Sequence, residues 1–146
     1  MELGMNEMKV LQQFKGGIDC SMVVFGAAAP ELGLDQETAR KIAAGFGGGM
    51  GHALTCGCVT GALMALGLKY GNAKAGDRET KQAFLEKKAL FEQMFEDENG
   101  SLLCKELLEL DLTVPEELEK IREKKLMDTL CPKLVCSACK ILEELL

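Results

Sequence analysis

The segment GFGGGMGHALTCGCVTGALMALG, residues 45–67, joins a run of glycines to a long apolar stretch. Glycine has no Cβ and adopts left-handed backbone conformations that other residues avoid, so the run predicts a tight loop. The apolar stretch that follows predicts a buried helix over about 56–70. If Thr55 caps this helix, Cys56 and Cys58 lie in its first turn, where free N–H groups and the helix dipole stabilise a thiolate. The segment therefore predicts reactive sulfur at the start of a central helix.

The composition favours an all-α protein. The chain has 146 residues, of which 47% are hydrophobic, and this is enough to build one core. It has no tryptophan, one tyrosine and three prolines, and the β-branched and aromatic runs that predict strands are scarce. We expect a single domain over residues 1–146, a multi-helix bundle in which the glycine-rich loop leads into the buried central helix.

The net charge of −6 and the pI near 4.9 argue against polyanionic partners. Binding to nucleic acid or to anionic membranes depends on clustered lysine and arginine, so we expect neither. No apolar run is long enough to cross a bilayer and no leader pattern is visible, so the expected location is the cytoplasm, without membrane insertion. In that compartment seven cysteines favour thiol redox chemistry or metal binding over a static disulfide framework.

Helical periodicity and capping signals predict the other helices. Their expected positions are about 6–14, a helix opening at Asp19, one opening at Asp35, then 77–95, 101–110, one opening at Thr113, and 130–146. The Thr113 and Glu116 spacing is that of a capping box, and Ile42 is expected on the inner face of the helix that Asp35 opens.

Glycines 57, 61 and 67 each cost the central helix about 1 kcal/mol relative to alanine. Close approach of a ligand or of another helix backbone is the usual compensation. We therefore expect Gly57 and Gly61 to border a cofactor or a neighbouring helix, and Gly61 to face the helix that carries Cys20.

Four separated cysteines carry a recognisable pattern. They are Cys20, the first residue of Cys56-Gly57-x-x-x-Gly61, Cys104 in a leucine-rich segment, and Cys131 before Pro132. From about residue 6 to 146 the chain resembles the C_GCAxxG_C_C family of small bacterial redox-active proteins. The resemblance implies that these are the four recurring cysteines of the family and that residues 56–61 are its CGAxxG motif. Cys58 departs from the motif, since the family has alanine there.

The resemblance and the helix-start position of Cys56 together favour thiol–disulfide exchange or redox sensing. Cys56 is the expected reactive thiolate, with Cys20, Cys104 or Cys131 brought beside it by helix packing. Cys58 is an alternative partner, in a short and easily reduced Cys56–Cys58 disulfide. The expected partner molecule is a redox protein or a small thiol, and a homodimer is left open.

Two alternatives remain open at this stage. Cys20, Cys56, Cys104 and Cys131 supply the four thiolates that zinc or an iron–sulfur cluster takes, for electron transfer or for structure. A similar helical module in a cytochrome-like context keeps haem-linked electron transfer open, although the chain has no CxxCH site for covalent haem. The second alternative is a structural or interaction subunit whose cysteines only fill the core.

Three other residues with reactive or metal-binding side chains stand apart from this pattern. Cys136 and Cys139 share one helix face and are expected mainly to pack, with auxiliary ligands or resolving thiols as the alternative. His52, the only histidine, is either a surface residue or a neighbour that lowers the pKa of Cys56 or shares a metal.

Overall fold

The computed structural model describes residues 1–146 and contains nine α-helices and no strand, which confirms the all-α prediction. The helices are α1 (Glu7–Lys15), α2 (Cys20–Ala28), α3 (Gln36–Ala43), α4 (Gly57–Tyr70), α5 (Arg78–Asn99), α6 (Cys104–Leu108), α7 (Pro115–Glu123), α8 (Leu126–Thr129) and α9 (Cys131–Leu145). A short 3-10 turn over Ala29–Leu32 extends α2. None of the helices combines the length and the apolar character that crossing a bilayer requires.

The helices α2 and α4 pack against each other at the centre of the main core. α3 covers α2, α5 covers α4, and α9 packs against α2, α4 and α5. On α4 the side chains of Val59, Ala62, Ala65 and Leu66 are completely buried. The apolar stretch after the glycine loop is therefore a buried central helix, as the sequence predicts.

A second, smaller hydrophobic cluster forms where α6 and α7 pack together. Its buried members are Cys104, Leu108 and Ile121, and Leu130 and Cys131 pack against it from the chain that leads into α9. Cys56 and Cys58 belong to the main core instead. The two clusters therefore approach each other beside the starts of α4, α6 and α9.

Side-chain caps fix the starts of three helices. Asn6, Asp35 and Asp77 each accept a hydrogen bond from the backbone N–H three residues later, as is usual for these residue types at an N-cap. The starts predicted at Asp35 and Asp77 are thus confirmed. α5 extends to Asn99, four residues beyond the predicted end at 95, and Gly100 terminates it with a φ of 97° in the left-handed region.

The start of α4 differs from the prediction by one residue, and Cys56, rather than Thr55, is the N-cap. Thr55 instead pairs with Leu103 in an isolated antiparallel bridge. The Cys56 N–H donates to the Leu102 carbonyl over 2.8 Å, and the Cys104 N–H donates to the Leu54 carbonyl over 2.6 Å. These two bonds tie the start of α4 to the start of α6.

Three other local predictions are corrected by packing and hydrogen bonding. The capping box at Thr113 is absent, because the Thr113 hydroxyl donates to Asp111 and Val114 becomes the N-cap of α7. Ile42 is 52% exposed, while Ala39 and Ala43 form the buried face of α3. The helix predicted over 101–110 shrinks to the five residues of α6, since Glu109 adopts a left-handed conformation.

Candidate functional site

A cavity of about 380 Å³ lies between the two hydrophobic clusters. Five of the seven cysteines line it: Cys20, Cys56, Cys58, Cys104 and Cys131. Most of the remaining wall is apolar and comprises Phe14, Leu107, Leu108, Leu112, Met127 and Leu134. All five sulfurs are free thiols. The fold thus brings together every cysteine that the sequence marks as a candidate site residue.

Each of these five cysteines lies at the N-terminal end of a helix. Cys20, Cys104 and Cys131 are the first residues of α2, α6 and α9, while Cys56 caps α4 and Cys58 is its second residue. The first N–H groups of a helix have no partner within it and carry partial positive charge. Three longer helices and the short α6 therefore direct their positive ends toward one group of thiols.

Gly57 creates the space in which the Cys20 sulfur lies. A Cβ atom at Gly57 would overlap Cys20 Sγ, and it would also stand 3.1 Å from the Ser21 nitrogen and 3.2 Å from Gly47 Cα. No residue larger than glycine fits between Cys56 and Cys58 while Cys20 keeps this position. The need for glycine at position 57 is therefore explained by the Cys20 sulfur that lies against it.

Gly61 brings α4 close to the backbone of α2, one turn farther along the same face. A Cβ atom at Gly61 would lie 2.6 Å from the Ser21 carbonyl oxygen and 3.2 Å from Ser21 Cα. The Ser21 hydroxyl in turn donates to the Ala43 carbonyl over 2.8 Å, which holds α3 against α2. The prediction that Gly61 faces the helix carrying Cys20 is confirmed.

The glycine loop wraps around the start of α2 in a left-handed conformation. Gly48, Gly49, Met50 and Gly51 have φ values of 63°, 61°, 62° and 72°. The left-handed conformation costs a non-glycine residue such as Met50 about 1–2 kcal/mol, so contacts with the surrounding structure must stabilise the loop. The loop places Gly47 and Gly48 in the cavity wall beside Cys20.

The environment of Cys20 favours its thiolate. A hydrogen bond from the Cys58 thiol lowers the pKa of Cys20 most, and the backbone N–H groups of Gly48 and Ser21 lower it further. Burial and the carboxylate of Asp19 act in the opposite direction. The net effect lowers the pKa of Cys20 to about 7.

The neighbouring thiols are held in the protonated form. Hydrogen bonding to Cys20 and Cys56, together with complete burial, raises the pKa of Cys58 well above its usual range. Burial raises the pKa of Cys104 to about 12 and is also the main cause of the raised pKa of Cys131. The cavity thus contains one favoured thiolate beside several proton-bearing thiols.

The sequence carries a signal for the reactivity of Cys20 as well as for that of Cys56. Asp19 marks a helix start, and a cysteine directly after a helix start meets the same dipole and free N–H groups as Cys56. Cys20 and Cys56 line the same cavity, and the pKa of Cys20 is lowered. What the sequence could not reveal is the Cys58 donor, which comes from another helix.

The remaining candidates lie outside the cavity. Cys139 is buried in the main core, where burial raises its pKa to about 12, and Cys136 is half-buried on the same helix. His52 is exposed and is not among the cavity-lining residues. The packing interpretation of Cys139 fits its position, and His52 is a surface residue.

The cavity thiols are not arranged as a zinc or iron–sulfur site. Cys20, Cys56, Cys104 and Cys131 share the cavity wall, yet no group of three or more cysteine, histidine or carboxylate side chains is arranged to hold a metal ion. The four side chains as positioned here do not fit a coordination sphere, which needs all ligands about 2.3 Å from one centre.

Comparison with known families gives a match over residues 18–145, to the family described as "Putative redox-active protein (C_GCAxxG_C_C)". The chain belongs to this family. The match covers α2 to α9 and includes all seven cysteines of the chain. No curated protein matches the sequence, and no solved structure matches it either.

Proposed function

We propose that this protein performs thiol–disulfide exchange in the cavity, with Cys20 as the attacking thiolate and Cys58 or Cys56 as the second thiol. The observation that carries the proposal is the position of Cys20 Sγ against Gly57, the residue that separates Cys56 and Cys58 in the chain. A lowered pKa provides the thiolate, which is the nucleophile in disulfide exchange. The redox class of the family agrees with this chemistry.

The exchange has two steps. The Cys20 thiolate attacks one sulfur of a substrate disulfide, the substrate S–S bond breaks, and the outer sulfur leaves as a thiolate that takes up a proton. Cys58 then loses its proton to solvent or to the departing thiolate and attacks the Cys20 sulfur. The Cys20–Cys58 disulfide forms and the second substrate sulfur leaves. Two electrons pass from the cysteine pair to the substrate, and the reverse sequence oxidises a dithiol.

Thiol trapping in redox buffers tests the proposal. The protein is equilibrated in mixtures of reduced and oxidised dithiothreitol covering about −220 to −320 mV, the range of cytosolic poise. Free thiols are then alkylated and the disulfides are assigned by mass spectrometry. We expect a disulfide that joins Cys20 to Cys58 or Cys56 and interconverts with the dithiol in this range.

Two variants make the test specific. Cys20→Ser should abolish the disulfide, whereas Cys136→Ser, which removes a half-buried thiol outside the cavity, should leave it unchanged. If Cys20→Ser still forms a reversible Cys56–Cys58 disulfide, the reactive role belongs to Cys56. If no cysteine pair interconverts, the protein is not a thiol–disulfide exchange protein.

A further inference from the structure

The charge distribution around the cavity is one-sided. Asp19 is the only charged residue among the fifteen that line it, and no lysine, arginine or histidine reaches the wall. The other polar groups are the five thiols and the backbone of the glycines. A negatively charged ligand would therefore find no basic side chain in the cavity wall with which to form an ion pair.

Carboxylates just outside the wall add to the same field. The negative charge of Asp111 raises the pKa of Cys104, and the negative charge of Asp128 raises the pKa of Cys131. No basic side chain contributes to the pKa shift of Cys20, Cys104 or Cys131. The net charge of −6 gives the whole molecule the same sign. Asp19 and Asp128 are exposed to solvent, so their repulsion of an anionic ligand is strongest at low ionic strength and is screened by added salt.

The size of the cavity and the burial of its sulfurs favour a small molecule. About 380 Å³ lies near the lower end of the range for ligand pockets, and the wall is mostly aliphatic. Cys56, Cys58 and Cys104 are buried, while Cys20 and Cys131 are half-buried. An incoming disulfide must therefore place its sulfur inside the cavity to reach Cys20.

We propose that the cavity accepts small aliphatic disulfides and dithiols that carry no negative charge and rejects those that carry carboxylates. This inference rests on the proposed exchange function and specifies its substrate class. The chemistry is the same two-electron exchange, with the Cys20 thiolate attacking and the small disulfide leaving as two thiols. Repulsion from Asp19 and from the Cys20 thiolate itself disfavours an anionic disulfide before any bond is broken.

Three disulfides of similar length and different charge test the inference. They are cystamine, which is cationic, hydroxyethyl disulfide, which is neutral, and dithiodipropionate, which is anionic. The rate at which each oxidises the reduced protein is divided by its rate with mercaptoethanol, so that intrinsic reactivity cancels. We expect the normalised rates for the cationic and neutral compounds to exceed that of the anionic compound by about tenfold or more at low salt.

Neutralising the cavity carboxylate should reduce this selectivity. Asp19→Asn keeps a residue that caps helices equally well, and it should narrow the ratio of the cationic to the anionic rate several-fold. Glu144→Gln removes the same charge from an exposed site about 20 Å along α9 from Cys131 and should leave the ratio unchanged.

The outcomes separate the two proposals. Equal normalised rates for all three disulfides would overturn the charge selection and leave the exchange function intact. An unchanged ratio in Asp19→Asn would overturn the assignment of selectivity to the cavity charge. If none of the three compounds oxidises the protein, the substrate class fails, and the dithiothreitol experiment decides whether the exchange function fails with it.

Discussion

Cys20 shows how hydrogen bonding outweighs burial at a single residue. Burial is the main cause that raises the pKa of Cys104 to about 12, and burial opposes ionisation at Cys20 as well. The donors around Cys20 reverse this effect and lower its pKa to about 7. The largest contribution comes from the Cys58 side chain.

We predict that Cys20 is alkylated by iodoacetamide with a rate that rises through a pH midpoint of about 7. In Cys58→Ala the midpoint should move upward, because the variant loses the thiol that donates to the Cys20 thiolate. Peptide-resolved mass spectrometry of timed samples across the pH range measures both midpoints. Cys136, whose pKa is raised mainly by burial, provides an internal comparison that should react only at higher pH.

The matched control for this experiment is Cys139→Ala, which also removes a buried thiol but lies outside the cavity. It should leave the Cys20 midpoint where it is in the parent protein. A Cys58→Ala midpoint that does not move would show that the Cys58 donor is not the cause of the low pKa.

At the scale of elements, the crossing of α2 and α4 decides the geometry of the site. Gly57 and Gly61 lie one turn apart on the face of α4 that meets α2, and they border Cys20 and Ser21 respectively. Each glycine costs about 1 kcal/mol of helix propensity. The close contact that they allow holds the Cys20 sulfur against Gly57.

We predict that Gly61→Ala destabilises the protein by about 1–3 kcal/mol, because the added methyl would press on the Ser21 carbonyl and force α2 and α4 apart. Gly67→Ala on the same helix should instead gain up to about 1 kcal/mol of stability. Its added Cβ would meet only the Phe84 ring, at an ordinary 3.8 Å. Urea unfolding of the three proteins at one pH measures the difference.

The pH midpoint of Cys20 alkylation provides a second measurement on Gly61→Ala and Gly67→Ala. Gly61→Ala should raise the midpoint of Cys20 alkylation, since separating α2 from α4 moves Cys58 away, and Gly67→Ala should not. A Gly61→Ala protein that is more stable than the parent and equally reactive would contradict the close crossing.

At the scale of the whole molecule, the site exists because two hydrophobic clusters meet. The main core supplies Cys56 and Cys58, and the smaller cluster of α6 and α7 supplies Cys104. The backbone bonds between residues 54–56 and 102–104 join the two parts next to the cavity. The ionisation of a cavity thiol is therefore coupled to the stability of the fold as a whole.

We predict that the free energy of unfolding contributed by Cys20 rises with pH. The folded protein has a lowered Cys20 pKa of about 7, compared with 9.0 as the ordinary value, so between these pH values the unfolded chain binds more protons. The contribution is complete above the unfolded pKa and is lost as the pH falls through about 7. Urea unfolding under reducing conditions, from about pH 6.5 to 8.5, should show the difference between parent and Cys20→Ser increasing.

Cys136→Ser is the control for this measurement. Its raised pKa places the folded-state titration above the ordinary value of 9.0, so its difference from the parent should stay constant below about pH 8.5. Parallel curves for parent and Cys20→Ser over the same range would show that Cys20 is not ionised preferentially in the folded state.

Much of the architecture could be predicted from local sequence. The all-α class, the caps at Asp35 and Asp77, and the buried helix after the glycine loop follow from periodicity and capping, which act over a few residues. Gly61 could be predicted at a helix crossing because three glycines in one helix need compensation. Local rules were wrong at Thr55 and Thr113, where a bridge to Leu103 and a bond to Asp111 compete with capping.

The sequence by itself indicated that Cys20 and Cys56 lie at helix starts, since a start signal and a cysteine are neighbours in the chain. It did not indicate this for Cys104, whose helix was expected to begin at about residue 101. Only the tertiary structure decided that these starts converge on one cavity and that Cys20 has the lowered pKa. The pKa of a thiol depends on donors, burial and charges within a few ångströms. For Cys20 these come from Cys58 and Gly48, which are distant in sequence and are brought near by the packing of α2, α4 and the glycine loop.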